Sequence, residues 1–106
     1  MMKLNEYGRL SEENREAHGF ADDPVPERIA LLHSEVSEAF EDFRNNRMLM
    51  TIREDGKPEG FPSELADIFI RLVGFAHSQG VDLDHAVEIK MEYNKSRTFR
   101  HGGKRL

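Results

Sequence analysis

The chain of 106 residues contains no cysteine. A disulfide framework, a thiolate zinc site and a cysteine nucleophile are therefore all excluded. Long apolar runs are missing too: no stretch approaches the roughly 18 residues that a membrane span requires. The first ten residues include Lys3, Asn5, Glu6 and Arg9 and lack the apolar core of a signal peptide, so a cytoplasmic protein is the expectation. Acid is missing from one end, since nothing acidic follows Glu92.

What is present is a strong charge split. Lys and Arg number 15 against 20 Asp and Glu, a formal charge of -5. Lys95, Arg97, Arg100, Lys104 and Arg105 close the chain, so an acidic body precedes a basic end, with a flexible tail expected at about 98–106 after His101-Gly102-Gly103. Such a body attracts cations, and such an end suits an anionic group. The length bounds the chain to one small domain that buries only about 65% of its unfolded surface, which makes oligomerisation a natural source of further core.

Helical periodicity dominates and predicts an all-α, four-helix bundle. A first helix is expected over about Lys3 to His18, ended by Gly19, with Tyr7, Leu10 and Ala17 as its apolar stripe and Gly8 as a weak point. A second runs near Pro26 to Arg47. Its Ile29, Leu32, Val36, Phe40 and Phe43 recur at helical spacing and form the stripe expected to face the core. Glu35, Glu38 and Asp42 fall well away from the centre of that stripe. Met48 to Gly60 reads as a connector, extended at Thr51-Ile52-Arg53 and turning at Asp55-Gly56. A third helix begins at Pro62 or Ser63 and ends at Gly80, apolar on nearly every side and so expected to be buried all round. The fourth opens after Asp82, a cap candidate, and runs to about Arg97.

Two of these helices each carry a carboxylate pair at i, i+3: Glu35 with Glu38, and Glu64 with Asp67. Such pairs point the same way, one turn apart. Spacing alone is weak, because Glu13/Glu16 and Glu38/Glu41 share it in so acidic a chain. Location is stronger, since Glu64 and Asp67 interrupt the most apolar helix, where an unpaired charge is costly to bury. If the two helices pack antiparallel, four carboxylates converge into an all-oxygen cage of the kind Mg²⁺ or Mn²⁺ prefers.

The order Glu35-x-x-Glu38, then 25 residues, then Glu64-x-x-Asp67 resembles the signature of the MazG-like nucleoside triphosphate pyrophosphohydrolases, the all-α NTP pyrophosphatase superfamily. The surroundings are similar as well: 30–39 (ALLHSEVSEA), Gly56-Lys57-Pro58-Glu59-Gly60, Glu64-Leu65-Ala66-Asp67, Lys90-Met91-Glu92-Tyr93-Asn94-Lys95-Ser96-Arg97 and the closing Arg100 to Arg105. Ser34 stands where some relatives carry a further Glu, and Gly74 where close relatives carry an acid.

The resemblance implies hydrolysis of a nucleoside triphosphate between the α and β phosphates, giving the monophosphate and pyrophosphate. It implies that Glu35, Glu38, Glu64 and Asp67 hold Mg²⁺, and that Lys90, Asn94 and Arg97 engage phosphates and sugar. The spacing of those three, 4 and 3 residues, places them on one helix face with donors suited to phosphate. Glu38, with Glu35 next, is the expected catalytic carboxylate that orients or deprotonates the attacking water. Phe20 and Tyr93 are candidates for stacking on a base, although packing is the commoner role of such aromatics. The apolar third helix predicts a homodimer or a dimer of dimers with the site near a subunit boundary.

Two other classes compete. A di-iron carboxylate bundle needs Glu-x-x-His on two helices, and no glutamate here precedes a histidine by three. A non-catalytic metal-binding helical bundle that serves as an interaction module is the alternative, but the acidic body disfavours nucleic acid as its partner.

Overall fold

The computed structural model describes residues 1–20 and 23–97. The expected tail at 98–106 lies outside the described residues. Four helices account for most of the chain: α1 Leu4–Ala17, α2 Val25–Arg44, α3 Phe61–Ser78 and α4 Leu83–Ser96. Between α2 and α3 a small antiparallel hairpin pairs β1 (Thr51–Ile52) with β2 (Pro58–Glu59), in the register Thr51 to Glu59 and Ile52 to Pro58. The all-α class and the four helices match the sequence expectation. Among the described residues no helix is long and apolar enough to cross a membrane.

The helix ends follow local chemistry. Pro24, Val25 and Pro26 open α2, with proline at the first helical positions where no donor is lost. Gly60 stands at φ +107 before α3, and a Cβ there would lie 2.2 Å from the Leu49 carbonyl oxygen, so only glycine fits. The amide of Phe61 donates to the carbonyl of Arg47 at 2.8 Å, which ties the start of α3 to the end of α2. Gly80, at φ +68, ends α3: its amide reaches the carbonyl of His77, and that of Val81 reaches Ala76. Asp82 caps α4 through the His85 amide, as expected.

α3 is the centre of the body, and both α1 and α2 pack on it. Arg28 lies over Phe75, Arg71 bonds Glu35, and Glu64 feels Glu38 and Asp42. Rising numbers on α2 thus meet falling numbers on α3, so the two run antiparallel, the condition on which the carboxylate cage depended. α1 is antiparallel to α3 as well. Gly8 meets Val73 and His77, while the Ser11 hydroxyl donates to the carbonyl of Ile70. This contact is tight: a Cβ on Gly8 would stand 2.5 Å from the Val73 carbonyl oxygen, and one on Gly74 would stand 2.7 Å from Ser11 Oγ. Gly8, weak by propensity, is required by packing. A longer side chain at Gly74 has no room here.

Three expectations about faces are corrected. On α1 the buried residues are Gly8 and Glu12 rather than Tyr7, Leu10 and Ala17, and Glu12 forms a bidentate pair with Arg28 at 2.9 and 3.0 Å. On α2 the buried residues are Glu35 and Ala39. The stripe expected to face the core is open instead, with Val36 53%, Phe40 58% and Phe43 57% exposed. α2 is thus rotated by roughly a quarter turn from the orientation its apolar residues suggest. On α3, Leu65, Phe69, Ile70 and Leu72 remain exposed, so this helix is not buried all round within one chain. The physical reason is common to all three. The helices meet through small residues and ion pairs, and among the described residues the buried apolar side chains are Ala39, Val73 and Ala76.

α4 departs from the body at the opposite end from the hairpin. Its start is pinned to α1: Asp84 accepts the amides of Leu4 and Asn5, and the Asn5 side chain bonds Asp82 and the Leu83 amide. Those two amides belong to the unpaired first turn of α1, so Asp84 caps that helix from a distance and sets a negative charge at its positive end. Beyond Ala86 every described residue of α4 is exposed, and no described part of α4 packs on α2.

Candidate functional site

The antiparallel pairing of α2 and α3 brings the two carboxylate motifs face to face. Oxygen atoms of Glu35, Glu64 and Asp67 come within 4.8 Å of one another. Glu35 is only 8% exposed, and α2 turns it toward α3, where Arg71 Nε donates to its Oε1 at 2.8 Å. Its other oxygen, Oε2, is buried and has no partner, and the same holds for Glu64 Oε2. Two buried carboxylate oxygens without donors carry a large desolvation cost.

Glu38 sits one turn along α2, exposed at the rim rather than inside the three-residue cluster. It still adds to the electrostatics at Glu64. Burial of its carboxyl first, then repulsion from Glu38, Asp67, Glu35 and Asp42, pushes Glu64 up to about 7. Burial and then Glu35 raise Asp67 as well, against the pull of Arg71 and Lys57. Four or five acids around a single point, two of them with elevated pKa, form a site in want of positive charge.

Two openings meet at this cluster. The first is a groove lined by Glu38, Asp42, Arg47, Lys57, Glu64 and Asp67, among others, which the hairpin closes on one side. The second is a cavity of about 540 Å³ between α1 and α2, floored by Asp67, Ile70 and Arg71 of α3 and walled by Asn14, His18, Phe20 and Leu31. That volume lies in the range of small-molecule pockets. Phe20 stands beneath the Arg15 guanidinium, 5.7 Å from its ring centroid, and is exposed into this space.

Of the residues singled out from sequence, the fold therefore unites Glu35, Glu64 and Asp67, places Glu38 beside them, and leaves Lys90, Asn94 and Arg97 elsewhere. Lys90 and Asn94 lie on the exposed length of α4 and Arg97 is the extended residue just past its end, with Lys90 and Arg97 flanking the Tyr93 ring at 5.6 and 6.0 Å. No hydrogen bond or ion pair joins them to the carboxylates among the described residues. Three charged groups not assigned a role from sequence take part instead: Lys57, Arg71 and Asp42. Lys57 lies in the Gly56-Lys57-Pro58-Glu59-Gly60 stretch, and its position in a tight turn next to the third helix was the available signal. Arg71 shares the polar strip of Glu64 and Asp67, one helical turn beyond the latter.

The donor set fits a hard divalent cation. It is all carboxylate oxygen, it includes two buried oxygens with no other partner, and a cation would relieve the mutual repulsion that raises Glu64. Comparison with protein-family models, with curated proteins and with solved structures yields no match. The reading of the site therefore rests on its own chemistry and on the motif resemblance.

Proposed function

We propose that this protein is a Mg²⁺- or Mn²⁺-dependent nucleoside triphosphate pyrophosphohydrolase of the MazG-like kind, serving nucleotide-pool sanitation in the cytoplasm. The observation that carries the reading is the convergence of Glu35, Glu64 and Asp67, with two buried carboxylate oxygens that no protein group satisfies. Glu38 completes the family's ligand set from the rim.

These four residues would hold the cation, which when bound supplies charge neutralisation to the phosphates and acidifies a nearby water. The chain's own groups do the rest. Glu38, exposed and adjacent, accepts the proton of the water that attacks the α-phosphorus; Glu35, anchored by Arg71, is less free to do so. As the new P–O bond forms, the bond from the α-phosphorus to the bridging oxygen breaks, and pyrophosphate leaves with that electron pair. Lys57, at the mouth of the groove, is placed to meet charge on the departing group. The adjoining cavity has room for base and sugar, with Phe20 as its stacking surface.

The open apolar flanks of α2 and α3 support a homodimer or a dimer of dimers, because Val36, Phe40, Phe43, Leu65 and Leu72 remain about half exposed. The same exposure also favours a second reading, a non-catalytic metal-binding interaction module. Product analysis separates the two. Incubation with a panel of ordinary and modified nucleoside triphosphates and Mg²⁺ is expected to release monophosphate and pyrophosphate in equal amounts. Cation binding without any turnover across the panel would favour the interaction module.

A further inference from the structure

Three guanidinium groups line the cavity between α1 and α2: those of Arg15, Arg28 and Arg71. Two of them are fully engaged. Arg28 grips both oxygens of Glu12 at 2.9 and 3.0 Å, the fork-on-fork geometry of a structural pair. Arg15 engages Asp23 and Glu12. Arg71 differs. It meets Glu35 through Nε alone, at 2.8 Å from Oε1, and among the described residues its two terminal nitrogens have no partner. Since a guanidinium carries five N–H donors, the end of this side chain still has donors to offer. The Arg71 side chain is 44% exposed while the Glu35 carboxylate that it braces is 11% exposed. Its open end therefore belongs to the cavity.

Position along α3 says what that end would meet. Asp67 borders both the acidic groove and the cavity, whereas Glu64 borders the groove and Arg71 the cavity. Arg71 lies one turn beyond Asp67, about 6 Å along the axis at 1.5 Å per residue, and is near enough to pull on the Asp67 carboxyl. A nucleotide that reaches from groove to cavity has to pass these two residues. With the pyrophosphate tail in the groove beside Lys57 and the base in the cavity beside Phe20, the α-phosphate is the group at the crossing, because it joins tail to nucleoside.

We propose that Arg71 is a catalytic residue with two engagements: its Nε holds Glu35, and its terminal N–H groups hold a non-bridging oxygen of the α-phosphate. The inference rests on the reading of the carboxylates as a triphosphate site and goes beyond it by assigning the group that meets the reacting phosphorus. The single-point contact with Glu35 fixes the guanidinium plane in advance and leaves its fork open, which a bidentate pair such as Arg28 with Glu12 does not. As water attacks and the bond to the bridging oxygen breaks, negative charge on the non-bridging oxygens meets a donor that need not reorganise. Arg71 stays protonated throughout. The proton of the water goes to Glu38, and pyrophosphate leaves with the electron pair of the broken bond.

Sulfur substitution tests the contact. The two α-thio diastereomers of whichever nucleotide the wild type cleaves fastest each replace one non-bridging oxygen. Arg71→Met is expected to lower kcat by about 10²- to 10³-fold and to change the ratio of rates on the two diastereomers by about tenfold or more, as the loss of one charge-assisted hydrogen bond implies. A residue that only braced Glu35 would slow both diastereomers alike. A second readout needs no turnover. Calorimetry with the uncleavable α,β-methylene analogue, at Mn²⁺ concentrations that saturate each protein, is expected to show Kd raised about tenfold or more in Arg71→Met. Arg71→Lys keeps the charge without the fork and is expected to fall between; it decides both readouts if Arg71→Met loses its helical signal. An unchanged diastereomer ratio, or analogue affinity within about twofold of wild type, with the wild type active, would overturn the Arg71 contact and leave the proposed activity standing. A wild type that cleaves no nucleotide would instead remove the triphosphate reading itself, and the Arg71 contact with it.

Discussion

On one flank of α2, Glu35 and Glu38 stand over Glu64 and Asp67; on the other, Val36, Phe40 and Phe43 face outward. The first flank concentrates charge where water is scarce, and the second leaves apolar surface where water is plentiful. Each is unfavourable in an isolated chain without ions, and each becomes favourable with a partner: a cation for one, a second copy for the other. A small domain whose described residues bury only three apolar side chains gains much of its stability from such partners.

Removing the proton acceptor should give the largest effect. Glu38→Gln is expected to lower kcat by about 10²- to 10⁴-fold with the helical circular-dichroism signal kept. Near wild-type turnover would show that the acidic flank works without it. Breaking the apolar flank comes next. Val36→Asp with Phe40→Asp sets four new charges in the proposed dimer contact and forfeits on the order of 1.5–3 kcal/mol for each apolar side chain otherwise buried. Sedimentation should then show monomers, with the helix content little changed because both residues are already exposed in one chain. Unaltered association would move the contact to another surface.

A smaller effect is expected where α1 meets α3. Gly8→Ala in an open helix would stabilise by roughly 1 kcal/mol, but here the added methyl meets the Val73 carbonyl, and overpacking costs about 1–3 kcal/mol. Urea titration should therefore show a lower midpoint. A raised midpoint would mean that α1 shifts at no cost.

The smallest effect concerns pH in the absence of metal. Glu64 titrates at about 7 in the folded chain against 4.5 as its ordinary value, with Glu38, Asp67, Glu35 and Asp42 facing it. The folded state holds this proton more tightly than the unfolded state. Its contribution is therefore complete below the ordinary value and is lost as pH rises through 7. The metal-free protein should melt at lower temperature at pH 8 than at pH 5.5, and Glu64→Gln should flatten that slope. An unchanged slope in the variant would assign it to other groups.

The contrast between the flanks also shows what a sequence can and cannot convey. Helix existence and ends were legible, because Gly80, Asp82 and the prolines before α2 act through local backbone geometry. The hairpin was half legible: Thr51-Ile52 and the Asp55-Gly56 turn were marked, but the pairing strand Pro58–Glu59 was not, since two residues carry no period. The facing carboxylates were legible through their spacing and through the oddity of acids within α3. The phase of α2 was not. An apolar stripe carries the same period whether it packs on its own chain or on another, and here Ala39 and the Glu35–Arg71 pair take the inner position. Lys57 and Asp42 were named but given no role for a related reason, as charged residues near turns are ordinarily solvated. The reach of α4 depends on tertiary hydrogen bonds from Asn5 and Asp84 that no local pattern announces.

The central claim is that the acidic flank is a divalent-cation site, and calorimetric titration of the metal-free protein with Mn²⁺ tests it most directly. The account predicts saturable binding near pH 7, accompanied by proton release as Glu64 gives up its proton, and loss of that binding in Glu35→Gln. Heats no different from dilution, or saturable binding that survives Glu35→Gln unchanged, would contradict it.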